Sequence, residues 1–102
     1  MQILAHISDL NDGINEKILD DHKFFIYKNG DEIRVYDSIC PHQGGMLHCK
    51  NTQNTQEIYC KVHNWRFNEK GESLTTSARL IEHKVLINSN DIVMHKWGGG
   101  AN

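Results

Sequence analysis

Residues 40–67 read CPHQGGMLHCKNTQNTQEIYCKVHNWRF, and the spacing of cysteine and histidine within them decides how the rest of the chain is read. Two short loops each pair one thiol with one imidazole, Cys40-Pro41-His42 and Cys60-Lys61-Val62-His63, with seventeen residues between His42 and Cys60. Thiolates are soft donors that hold iron bridged by sulfide, while neutral imidazoles donate nitrogen and add no negative charge. Two mixed pairs therefore mean two metal positions. Folded side by side, the loops can put both cysteines on one iron and both histidines on the other. A structural zinc site can use the same four residues, although zinc modules usually set their two cysteines together and their two histidines together, and here the types are interleaved. A disulfide between Cys40 and Cys60 leaves both histidines without a role.

Outward from these loops the chain reads as all-β. Apolar residues recur in short β-branched and aromatic runs separated by Asn, Asp and Gly, and no window carries a long amphipathic helical stripe. Residues 23–28 (KFFIYK) and 32–37 (EIRVYD) are joined by Asn29-Gly30-Asp31, which predicts a tight hairpin delivering the chain to Cys40. Within its second strand, Ile33 and Val35 alternate with Arg34 and Tyr36, the pattern of a strand buried on one face. Residues 2–6 suit an edge strand, 8–16 a polar turn, and 14–20 a helical turn. The only proline, beside Cys40, and the pair Gly44-Gly45 let the first loop turn closely around an inorganic core. Residues 50–56 (KNTQNTQ) predict an exposed loop, and 57–59 a short strand leading into Cys60. Trp65 and Phe67 alternate with Arg66 ahead of a turn at 69–72 with glycine at its strained position. Residues 79–88 and 91–97, separated by Ser89-Asn90, predict a closing β pair, and GGGAN is a flexible tail.

A chain of 102 residues is one small domain in which a hydrophobic core alone is modest, so a metal centre tying two loops together supplies a needed constraint. A net charge of -2 gives no basic excess, which excludes a nucleic-acid or anionic-membrane binder as the simple reading. Three cysteines, two of them assigned to the loops, leave Cys49 alone and no disulfide framework, as in a reducing compartment. With no signal segment and no run of membrane-spanning length, the expectation is a cytoplasmic, monomeric protein.

The C-x-H and C-x-x-H pair resembles the Rieske [2Fe–2S] motif, and the resemblance extends to Gly44, Leu47, Trp65 and Phe67, covering nearly the whole chain. It implies an antiparallel β-sandwich or barrel spanning residues 1–97, with a small inserted cluster-binding subdomain at about 39–76 and a tail at 98–102. It implies one [2Fe–2S] cluster per chain held by Cys40, His42, Cys60 and His63, the two histidines at an exposed tip through which an electron leaves. The function implied is that of a one-electron carrier, without a catalytic residue of its own, between a flavin-dependent reductase and a terminal oxygenase. The alternative is a Rieske domain or small subunit of a larger oxidoreductase of oxygenase or nitrite reductase type.

High-potential relatives carry an extra cysteine in each loop and hydroxyl donors after the second; the matching positions here are Gly45, Val62, Trp65 and Phe67. Fewer donors stabilise the reduced cluster less, which predicts a potential at the low end, about -150 mV. Cys49 and His48 are expected to be inert, and His6, His22, His83 and His95 to be surface or packed residues. Lys50, Lys61, Arg66 and Lys70 gather around the loops, either as a face for an acidic partner or as ordinary solvated charge.

Overall fold

The computed structural model describes residues 2–39, 46–51, 56–60, 65–68, 70–74 and 78–94. Its strands are β1 (Gln2–His6), β2 (Gly13–Leu19), β3 (His22–Asn29), β4 (Glu32–Asp37), β5 (Leu47–Asn51), β6 (Gln56–Cys60), β7 (Trp65–Phe67), β8 (Glu82–His83), β9 (Val85–Asn88) and β10 (Asp91–Met94). A single 3-10 turn, Ile7–Asp9, is the only helical element among the described residues. The strands form three antiparallel sheets, ordered β1-β10-β9, β2-β3-β4-β8 and β5-β6-β7. The chain is therefore all-β and antiparallel, as its short apolar runs predict.

The middle sheet is covered on both faces, because successive side chains of a strand point to opposite sides. Phe24 and Ile26 of β3, with Val35 of β4, pack against Leu4, Ala5, Ile92 and Met94 of the first sheet. Phe25, Tyr27 and Tyr36 face the other way and join Leu47, Ile58, Cys60 and Phe67 of the third sheet. The expectation of one buried face for β4 is thus corrected: Val35, Tyr36 and Asp37 are all buried. A polar Asp at such a place must find partners, which the site description supplies.

The predicted β3–β4 hairpin forms, with Asn29 drawn into the strand opposite Glu32, so that the loop is Gly30-Asp31 with Gly30 alone at positive φ (+59°). Residues 14–19 are strand rather than a helical turn, and Asp20 belongs to the turn that follows. Asp20 and Asp21, at φ 52° and 64°, close a two-residue turn between Leu19 and His22, and paired positive φ is the geometry of a type I′ hairpin. Strand β2 is an edge and mostly exposed along 15–19, so its sequence lacks the alternation that marks a half-buried strand. Residues 79–88 do not form one strand either. Glu82 and His83 pair with Tyr36 and Val35, whereas Val85–Asn88 pair with β10, so the chain changes sheet at Lys84. Residues 50, 51 and 56, expected in a loop, belong to β5 and β6, and 52–55 lie outside the described residues.

Candidate metal centre

Two segments that the sequence marks as ligand loops are rooted side by side. Ile39 and Met46, which flank residues 40–45, form an antiparallel bridge, and Leu47 N–H donates to the Ser38 carbonyl at 2.7 Å. One residue further on, Leu47 stands opposite Cys60 in the β5–β6 ladder. Cys60 in turn stands opposite Trp65 of β7, so the residues that flank 61–64 are paired with each other. The roots of both loops therefore share one end of the three-stranded sheet, although seventeen residues separate the two ligand pairs in sequence. Of the four predicted ligands, Cys60 is described; Cys40, His42 and His63 lie outside the described residues, as do Pro41, Gly44, Gly45, Lys61 and Val62.

Cys60 is 1% exposed and sits in the core between the middle and third sheets. It is a free cysteine, so the Cys40–Cys60 disulfide is not the state of this thiol. A buried thiol at a loop root is the sulfur donor a cluster requires. Ser38, whose carbonyl holds the Leu47 N–H across from Cys60, has its Oγ buried without a hydrogen-bond partner among the described residues, two positions ahead of Cys40. A soft donor and a spare hydroxyl at the same end fit an iron–sulfur group.

The third cysteine is chemically different. Cys49 Sγ donates to Glu16 Oε2 at 3.2 Å, tying β5 to β2, and Glu16 also lies 3.9 Å from Lys23 Nζ. Burial, then the hydrogen bond and charge of Glu16, push the Cys49 thiol up to about 12. At neutral pH it is a protonated thiol, a poor metal ligand, in keeping with its expected inertness. His48 packs its ring against Tyr59 at 5.7 Å. His6 pairs with Asp91 at 2.7 Å. His95 lies outside the described residues.

His22 and His83 do more than pack. Their Nε2 atoms lie 3.0 and 2.9 Å from the two oxygens of buried Asp37, which also accepts the Ile39 N–H at 3.1 Å. Burial alone would raise the Asp37 carboxyl, yet the hydrogen bonds from His83 and His22 outweigh it and hold the group below its ordinary value. No local motif announces this arrangement, because the histidines stand 15 and 46 residues from Asp37 in sequence. No group of three or more His, Cys, Asp and Glu among the described residues can hold a metal ion by itself.

On the far side of the sheet the chain is fastened to the core by a side-chain-built turn. Asn68 Oδ1 accepts N–H groups from Lys70 and Glu72, and Gly71 takes φ +78° against the ring of Tyr36. Lys50 and Arg66 are exposed near this sheet, but Arg66 lies 3.7 Å from Glu57, which halves the positive character of the face; Lys61 is outside the described residues.

Known proteins place this arrangement. A 45-residue stretch is 40% identical to the cytidine monophosphate-N-acetylneuraminic acid hydroxylase of Xenopus laevis, covering 42% of this chain and 7% of that protein, so the chain spans a small fraction of the relative it matches. The plasma membrane Rieske protein PetC3 of Synechocystis PCC 6803 superposes with a TM-score of 0.72 at 18% identity, over 94% of this chain and 100% of that one. The ferredoxin of carbazole 1,9a-dioxygenase from Nocardioides aromaticivorans IC177 superposes with a TM-score of 0.63 at 20% identity, over 90% and 93%. At these identities the superpositions carry the fold. A model of the Rieske [2Fe-2S] domain matches residues 1–85, from the first strand through both loops to the start of β9, and the chain accordingly belongs to the Rieske family, an electron-carrying domain that binds a [2Fe–2S] cluster.

Proposed function

We propose that this chain takes single electrons from a flavin-dependent reductase and passes them to a terminal oxygenase, with Cys40 and Cys60 on one iron and His42 and His63 on the other. The observation that supports the ligand assignment is the neighbouring roots of the two segments, Ile39 opposite Met46 and Leu47 opposite Cys60. The cluster supplies reversible one-electron exchange. The protein's own part is to bury Cys60 in the core between the middle and third sheets. Ile39 and Met46, 38% and 54% exposed at the root of the first loop, offer apolar surface for docking, the kind of area that a redox interface covers. An oxygenase as acceptor is supported by the likeness to a protein named as the ferredoxin of a dioxygenase. The domain division into 1–97, with 39–76 as the cluster-binding part, belongs to the same proposal.

The test is electron paramagnetic resonance of anaerobically purified protein before and after dithionite, beside iron and zinc analysis. A silent oxidised sample that gains a rhombic signal with mean g below the free-electron value, at about two irons per chain, supports the ligand reading. Each of Cys40→Ser, His42→Ala, Cys60→Ser and His63→Ala then abolishes that signal. Zinc in place of iron after anaerobic reconstitution overturns it. A second reading, a Rieske domain within a larger oxidoreductase, is favoured by the match to a hydroxylase of which this chain spans 7%. A native polypeptide or stable complex much larger than the 102-residue chain would select that reading over the free carrier.

A further inference from the structure

We infer that Asp37, clasped between His22 and His83, is a positioning residue for the metal centre, fixing the backbone that leads into Cys40. The inference rests on Cys40 being a ligand, as proposed above.

Asp37 closes β4 and is 6% exposed, a place where a carboxylate survives only if it is fully engaged. Its engagement is of two kinds. Three strands meet on it: His22 from the start of β3 reaches Oδ1, His83 from β8 reaches Oδ2, and its own N–H donates to the Ile81 carbonyl at 2.8 Å. The same Oδ1 then accepts the N–H of Ile39, two residues on, which is an Asx-type turn that bends the chain out of the strand. The next residue is Cys40.

An ionised carboxylate only accepts hydrogen bonds, so both imidazoles present Nε2–H to it, which fixes the orientation of each ring. Phe24 holds the pair from one side, 4.7 Å from the His22 ring and 5.4 Å from the His83 ring. A rigid carboxylate thus ties the loop root to three strands of the middle sheet, while Ser38 ties the same root to β5 through Leu47. Partners that hydrogen-bond directly to a metal ligand are worth about ten- to a hundredfold in metal affinity when removed, and the lower end of that range is the effect expected of a carboxylate that holds the residue before one.

A carboxylate that merely joins strands would, when removed, lower stability and leave the cluster's environment alone. The test therefore uses cluster-loaded protein with two kinds of readout: the rate of iron loss to a chelator, and the electron paramagnetic resonance g-values with the midpoint potential. Phe24→Leu is the comparison, since it loosens both imidazoles' packing without touching the Ile39 hydrogen bond. Asp37→Ala is expected to lose iron at least tenfold faster than Phe24→Leu at matched thermal stability, and to shift the g-values where Phe24→Leu does not. If Asp37→Ala fails to fold, the pair His83→Gln and His83→Leu decides: the glutamine keeps a donor for Asp37 and retains wild-type iron loss, and the leucine does not. Wild-type signal with Asp37→Ala or His83→Leu indistinguishable from Phe24→Leu overturns this inference alone. A wild-type chain that takes up no iron overturns the ligand reading, and this inference with it.

Discussion

Replacing Gly71 by alanine tests how the cluster-bearing sheet is fastened to the core. Gly71 takes φ +78°, and a Cβ built there lies 2.8 Å from Tyr36 Cε1. Two penalties add. The left-handed backbone costs a residue with a Cβ roughly 1–2 kcal/mol, and forcing a methyl into a packed core costs about 1–3 kcal/mol. The second applies in full because Tyr36 is 1% exposed and has no open side to move to. Gly30 separates the two: its φ is +59° but nothing lies within 4 Å of a Cβ, so Gly30→Ala incurs the backbone penalty alone. The expectation is a loss of about 1–2 kcal/mol for Gly30→Ala and about 2–5 kcal/mol for Gly71→Ala. Urea unfolding under anaerobic reducing conditions measures both, and cluster loss on unfolding enters each variant alike. In a Tyr36→Leu background the excess at Gly71 should fall by about 1 kcal/mol or more, the signature of a direct contact. Equal losses at Gly71 and Gly30 would refute the reasoning, and so would an excess untouched by Tyr36→Leu.

Acid unfolding reads Asp37. Its folded carboxyl lies below the ordinary value of about 3.9, so the stability it contributes is present above pH about 4 and lost as the pH falls through the folded value; wild type should show a steeper fall than Asp37→Asn in that range, and identical slopes would sink the assignment. Cys49, with its thiol pushed up to about 12, should react with iodoacetamide at pH 8 at least tenfold more slowly than in the unfolded chain, and Cys49→Ser should keep two irons. The stabilising part of that thiol's protonated state is full below pH about 9 and declines as the pH rises toward its folded value. With Trp65 and Phe67 in place of hydroxyl donors, voltammetry should find a midpoint near -150 mV, about that of the low-potential Rieske centres; a value above zero contradicts the reading.

The parts legible in the sequence are those encoded over short spans. The β3–β4 hairpin could be read because Asn29-Gly30 and the flanking apolar residues fall within a dozen positions of one another. The family could be read because the C-x-H and C-x-x-H spacing restricts residue type so tightly. What escaped depends on distant neighbours. Strand β2 looks polar and helical by itself because its partner β3 carries the burial. Residues 79–88 look like one strand because the change of sheet at Lys84 answers to which edge is vacant, β4 for β8 and β10 for β9. Both faces of β4 are buried because two other sheets converge on it, which alternation in six residues cannot disclose. His22 and His83 carried no motif, since their shared partner Asp37 exists only once β3, β4 and β8 are assembled.

The pairing of β1 with β10 sets an order on the making of this protein. His6 and Asp91, in contact, are 85 residues apart, so the sheet they belong to cannot close until β10 has left the ribosome. Strands β2 to β4, and β5 to β7, each pair with sequence neighbours and can form earlier, since short loops close at small entropic cost. The nascent chain can therefore hold β2 to β4 and β5 to β7 while Leu4 and Ala5 still lack their cover from Ile92 and Met94. The closing of the β1–β10 ladder then covers the face of the middle sheet turned away from the loop roots, so the last step of folding is made on the side opposite Cys60.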